Sequence, residues 1–132
     1  TTVHAYTSDQ NLLDNSHSDL RRARAAALSM IPTSTGAAKA LGDVIPAMKG
    51  KLDGYAVRVP TPDVSMVDLT VNLTNAADKN SINAAMKKAS ETNLKGILGY
   101  TEEELVSMDY MGATESSYFD AKLTNVIGKT AK

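Results

Sequence analysis

An α+β fold, with a mainly antiparallel (mixed) sheet and helices packed on one face, is the architecture this sequence predicts. Two observations carry it: long segments of alternating polar and apolar residues, and only a few stretches with apolar positions at helical spacing. At 132 residues the chain suits one domain, which removes about two-thirds of its unfolded surface from water. No internal repeat, low-complexity tract or interdomain linker interrupts it.

Residues 1–7 alternate and are rich in β-branched types, which predicts a short strand with Val3 and Ala5 inward and His4 on the other face. Residues 8–34 hold Asp9, Asn11, Asp14, Asn15, Ser16, His17, Ser18 and Asp19, followed by Arg21, Arg22 and Arg24. So long a polar segment exceeds an ordinary connection, and such loops are often functional. Thr35-Gly36 then introduces Ala37, Ala38, Ala40, Leu41, Val44 and Ile45, a helical stripe that Pro46 or the Met48-Lys49-Gly50 turn terminates. Tyr55, Val57 and Val59 alternate with Arg58, and after Pro60 and Pro62 the pattern resumes through Ser65, Val67, Leu69, Val71 and Leu73. This reads as one long strand with an irregular middle.

Ile82, Ala85, Met86 and Ala89 share a helix face, with Lys87, Lys88 and Glu91 outward and Asp78 or Asn80 as the cap. Thr101 and Glu104 have capping-box spacing, which predicts a short third helical turn. Extended segments over residues 105–110 and 116–127 complete the reading.

Fourteen Lys and Arg against fifteen Asp and Glu give a net charge of −1, so anion binding must come from local clusters. That balance, with 5% aromatics, argues against a dedicated nucleic-acid binder. No apolar stretch approaches a membrane span and no basic region precedes an apolar signal core, which predicts a cytoplasmic protein. The absence of cysteine removes disulfides, thiolate metal sites and a cysteine nucleophile from this chain, and the two histidines lack metal-ligand spacing. No metal is expected. Gly96-Ile97-Leu98-Gly99 lacks the glycine spacing of a dinucleotide fingerprint.

Among polar residues, Thr35 and Gly36 either cap a helix or offer backbone N–H groups and a positive helix end to an anion. Arg21, Arg22 and Arg24 either stiffen the loop through its aspartates or grip phosphate. Arg58, in the middle of a Val-rich strand, needs a partner, a polar cavity or a solvated face. His4 is either a bystander or a general acid or base.

Five tracts bind these fragments together: Thr1-Thr2-Val3-His4-Ala5-Tyr6-Thr7-Ser8-Asp9-Gln10, Asp19-Leu20-Arg21-Arg22-Ala23-Arg24, Ile31-Pro32-Thr33-Ser34-Thr35-Gly36-Ala37-Ala38-Lys39-Ala40, Gly50-Lys51-Leu52-Asp53-Gly54 and Arg58-Val59-Pro60-Thr61-Pro62-Asp63. In this order they resemble the C-terminal catalytic domain of bacterial phosphorylating glyceraldehyde-3-phosphate dehydrogenase. The likeness continues through Lys95-Gly96-Ile97-Leu98-Gly99-Tyr100-Thr101 and Ser116-Ser117-Tyr118-Phe119-Asp120-Ala121. The resemblance implies oxidation of a phosphorylated aldehyde to an acyl phosphate, using NAD or NADP, inorganic phosphate and a cysteine thioester.

On this resemblance His4 matches the catalytic base. Thr7, Asp9 and Arg58 match the substrate-phosphate site, and Arg22, Thr35 and Gly36 match the inorganic-phosphate site, with Arg22 and Arg58 able to serve both. Residues 7–31 resemble the S-loop, which lies near the cofactor of an adjacent subunit in the family's tetramer. Thr-Gly-Ala-Ala-Lys favours glyceraldehyde 3-phosphate over erythrose 4-phosphate.

The chain begins after the family's nucleophile tract, opens on Thr1 rather than Met, and lacks both the Rossmann domain and the family's last strand. The expectation is therefore a partial catalytic domain, inactive alone and binding no cofactor tightly. The alternative is a stand-alone, non-catalytic domain that binds phosphate or self-associates.

Overall fold

The computed structural model describes residues 1–132, the side chains of Ala38 and Lys39 excepted, as two compact units, Thr1–Asp68 and Leu69–Lys132. Its class is α+β, with mixed sheets and few helices. Among the described residues no helix is long and apolar enough to cross a membrane.

The first unit is built on strands β1 (Thr2–Ala5), β2 (Ile31–Ser34), β3 (Tyr55–Val59) and β4 (Met66–Val67), in the order β2-β3-β1-β4. β1 and β3 run parallel, while β2 and β4 are antiparallel to their neighbours. Register places His4 opposite Arg58, and Arg58 opposite Ile31. Side chains alternate along a strand, so these three share one face with Thr33 and Ala56. Ala5 is buried on the other face, as its alternation predicts, but Ile31, Thr33 and Ala56 make the His4 face the more deeply buried. The cause is residues 7–30, which form neither helix nor strand and hydrogen-bond to both Thr33 and Arg58. Helix α1 (Ala37–Val44) follows β2 and ends at a 3₁₀ turn, Pro46–Met48.

The long strand expected after Tyr55 is instead divided. Pro60 and Pro62 have no ladder N–H, and the Thr61 amide turns back to the Val59 carbonyl at 2.7 Å. Val64 then adopts φ 61°, a left-handed conformation that costs a β-branched residue about 1–3 kcal/mol. Beyond this bend, the Ser65 hydroxyl accepts from the Ala5 amide at 3.2 Å and β4 returns along β1.

The second unit contains β5 (Val71–Asn72), helix α2 (Lys79–Glu91), β6 (Leu98–Thr101), β7 (Ser117–Asp120), β8 (Val126–Ile127) and β9 (Thr130–Ala131). β5-β9-β8 form an antiparallel sheet, and β6 pairs in parallel with β7. Gly128, at φ 62°, begins the two-residue turn between β8 and β9, where primed hairpin turns need a positive φ. Asp78 caps α2: its carboxylate accepts from the Ser81 amide at 2.7 Å, and the Ser81 hydroxyl accepts from the Asp78 amide at 3.0 Å.

Three local expectations change. Thr101 ends β6 and its hydroxyl accepts from the Glu103 amide, so no helix starts there. The segment expected to be extended holds a 3₁₀ turn, Ser107–Tyr110, whose Asp109 accepts from the Val106 amide at 2.7 Å. The expected final strand breaks after Asp120, whose carboxylate accepts from the Lys122 amide in a turn.

Gly99 lies against the Tyr118 ring, where an added Cβ would come within 2.3 Å of ring carbons. Gly99→Ala must therefore push Tyr118 away from its hydrogen bond to Glu115 and its contact with Tyr110. A loss of about 1–3 kcal/mol is expected, measurable by urea denaturation, against less than half that for Gly54→Ala, which meets open space.

Candidate phosphate-binding active site

Arg58 projects from the middle of β3, and its Nη1 donates to the Thr7 hydroxyl at 2.8 Å and to Gln10 Oε1 at 3.2 Å. Thr7 and Gln10 belong to one turn after β1, closed by the Gln10 amide donating to the Thr7 carbonyl at 3.0 Å. Partial burial pulls the Arg58 pKa below its usual value, with repulsion from Arg22 second and attraction to Asp9 and Asp19 opposing. It remains a cation at neutral pH.

Arg22 is the second cationic centre. Its Nη1 donates to Asp9 Oδ2 at 2.5 Å, its Nε to the Thr33 hydroxyl at 2.9 Å, and its Nη2 to the Ser34 carbonyl at 3.4 Å. Asp9 also receives His17 Nε2 at 3.4 Å. Because His17 Nδ1 accepts the Asp19 amide at 2.8 Å, the neutral ring must carry its proton on Nε2, facing Asp9.

Three carboxylates brace the loop, and each has a depressed pKa. Asp9 is lowered first by its bond to Arg22 and then by His17. Asp19 is lowered first by the Thr33 hydroxyl, then by the Arg21 amide. Asp14 is lowered chiefly by the Ala25 amide at 2.8 Å, with Arg24 assisting.

Gly36 is the N-cap of α1, and the Thr35 hydroxyl accepts from the Ala37 amide at 3.2 Å. Thr35 therefore precedes the N-cap rather than occupying it, and Gly36 has no side chain to cap with. The Arg22 bond to Ser34 brings a guanidinium to the residue before Thr35.

His4 lies beside Arg58 by strand register and is half-buried. Its Nδ1 meets the Ala5 carbonyl at 2.5 Å. A carbonyl only accepts, so the neutral ring carries its proton on Nδ1 and leaves a lone pair on Nε2, the form a general base requires.

Of the residues nominated from sequence, the structure bonds two pairs, while Thr35 and Gly36 bond to none of the others. Thr7 and Arg58 bond directly, whereas Asp9 bonds to Arg22 and links the two nominated phosphate groups. His4 joins by shared face rather than by a hydrogen bond to either arginine. Gln10, at 8% exposure, was not among the nominees. An amide carries no charge or motif of its own, and only its place in the Thr7 turn marks it.

A dinucleotide cradle needs a glycine-rich turn from strand to helix. The Gly96–Gly99 tract runs from helix α2 into strand β6, and the Tyr118 ring fills the space above Gly99. The Gly96–Gly99 tract therefore forms no dinucleotide cradle of this kind.

Residues 1–132 match the family described as "Glyceraldehyde 3-phosphate dehydrogenase, C-terminal domain", and the chain belongs to that family. It is 60% identical over 132 residues to a glyceraldehyde-3-phosphate dehydrogenase of Mycobacterium tuberculosis, covering 100% of this chain and 39% of that protein. It is 61% identical over 127 residues to glyceraldehyde-3-phosphate dehydrogenase 1 of Bacillus cereus, covering 96% of this chain and 38% of that protein. The chain therefore spans about two-fifths of the length of the curated relatives it matches.

The loop aspartates set a pH dependence. Their folded pKa values lie below the ordinary 3.8, so as pH falls the unfolded chain takes up these protons first. The stability they contribute is complete above about pH 4 and is lost as pH drops through the folded values. Thermal midpoints measured from pH 7 to 2 should decline below about pH 4, with a shallower decline in Asp9→Asn; equal slopes in the two proteins would contradict this account.

Proposed function

We propose that the chain is the catalytic-domain portion of a glycolytic dehydrogenase that oxidises glyceraldehyde 3-phosphate to an acyl phosphate with NAD or NADP and inorganic phosphate. The observation that carries this reading is the pairing of two guanidinium groups, Arg22 and Arg58, through a hydrogen-bonded loop on the face that presents His4. Such a face suits a substrate and a co-substrate that are both phosphates. Thr7, Asp9 and Arg58 receive the phosphate of the aldehyde, with Asp9 acting through Arg22, to which it is bonded. Arg22, Thr35 and Gly36 receive the attacking phosphate at the start of α1.

His4 Nε2 takes the proton of a thiol, generating the nucleophilic thiolate, and handles the proton released as the aldehyde is oxidised. The 132 residues contain no cysteine to form the thioester, so by themselves they perform no oxidation. Their contribution is to bind two anions and to move a proton. The setting is cytoplasmic.

Residues 7–31 constitute the S-loop-like segment, and self-association into a tetramer accompanies this reading. Leu12, Leu13, Leu20, Leu28 and Met30 of that segment are each at least 74% exposed, which is apolar surface of the kind a subunit interface covers.

The test is aldehyde-dependent NADH formation by the complete gene product carrying these residues. His4→Ala should lower kcat by about 10²–10⁴-fold. Arg58→Ala should chiefly raise the KM for the phosphorylated aldehyde, and Arg22→Ala that for inorganic phosphate. Oxidation by the isolated 132 residues, or full activity in His4→Ala, would overturn the assignment.

A further inference from the structure

We infer that Gln10 is a positioning residue for the substrate's phosphate, holding Arg58 and the Thr7 backbone in place while leaving the guanidinium without an ion-pair partner. The inference rests on the proposed function and extends it to a residue outside the nominated set.

Gln10 is buried, and two donors converge on its Oε1: Arg58 Nη1 at 3.2 Å and the Thr7 amide at 3.3 Å. Neither group can accept a hydrogen bond, so the orientation of the amide is determined and Nε2 points away from both. Gln10 Nε2 is buried with no acceptor among the described residues, and so is Arg58 Nε. Buried donors without acceptors are costly, and natural interiors keep few of them. Two from bonded side chains leave this corner rich in donors and short of acceptors, the complement of a phosphate group's oxygens.

The neutrality of the amide gives it a specific role. The nearby carboxylates are engaged elsewhere, Asp9 with Arg22 and His17, and Asp19 with Thr33 and the Arg21 amide. Arg58 forms no ion pair among the described residues, and its two hydrogen-bond partners, Thr7 and Gln10, are both uncharged. A glutamate at position 10 would offer the same oxygen to Arg58 and Thr7 and would satisfy the fold equally well. It would also neutralise the cation that the substrate's phosphate needs. Glutamine fixes the guanidinium and leaves its charge to the ligand.

Two variants of the complete gene product separate positioning from mere structure. Gln10→Glu keeps the acceptor and adds a charge, while Gln10→Met keeps the approximate volume and removes the acceptor. In both, KM for glyceraldehyde 3-phosphate should rise about tenfold or more, while kcat and the kcat/KM for unphosphorylated glyceraldehyde each change by about threefold or less. A purely structural Gln10 predicts the opposite pattern: Gln10→Glu behaves as wild type, and Gln10→Met loses activity on both aldehydes alike. Either result overturns the inference, and if Gln10→Met does not fold, Gln10→Glu decides alone. A wild-type product that oxidises neither aldehyde would instead sink the proposed function, and this inference with it.

Discussion

The pairing of the loop's carboxylates with Arg22 and Arg24, and not with Arg58, is the constraint on which the first unit depends. Asp9 holds Arg22, Asp19 holds Thr33 and the backbone of the arginine run, and Asp14 holds Arg24 and the Ala25 amide. These contacts fold an irregular segment over a sheet face, where its own Ala25 and Ala26 are buried together with Ile31 and Ala56 of the strands. Were an aspartate to shift from Arg22 to Arg58, the loop would loosen and the strand-borne cation would be quenched. Local order and an available positive charge are thus maintained by the same set of pairings.

Much of this was legible in the sequence because its signals are strong and local. The α2 stripe of Ile82, Ala85, Met86 and Ala89, preceded by Asp78, needs only helical periodicity and a cap. The alternation around His4 and Arg58 likewise gave two strands in their right places. The two bonded pairs, Thr7 with Arg58 and Asp9 with Arg22, lie within the ordered tracts, and no one residue's chemistry marks them.

What escaped the sequence reading has physical causes too. Alternation continues past Pro60 and Pro62 although the backbone does not, because side-chain pattern is blind to a missing amide and to the left-handed bend at Val64. Thr101 and Glu104 have the spacing of a capping box, but β6 pairs with β7 as far as Thr101, and strand pairing outweighs a local capping preference. Gln10 and the Asp109 cap depend on neighbours that only the folded chain brings within reach.

The parallel pairing of β1 with β3 has a further consequence, for the order of events in folding. Parallel neighbours cannot be joined by a tight turn, so everything between them, including the polar loop, β2 and α1, is the crossover. Thr7 and Arg58 meet across 51 residues of chain, and contacts that distant carry a large closure entropy and form slowly. Local pieces such as α1 can form while the two strands are still apart. The Thr7–Arg58 contact exists only once the whole crossover has closed, so its appearance marks the completion of the first unit.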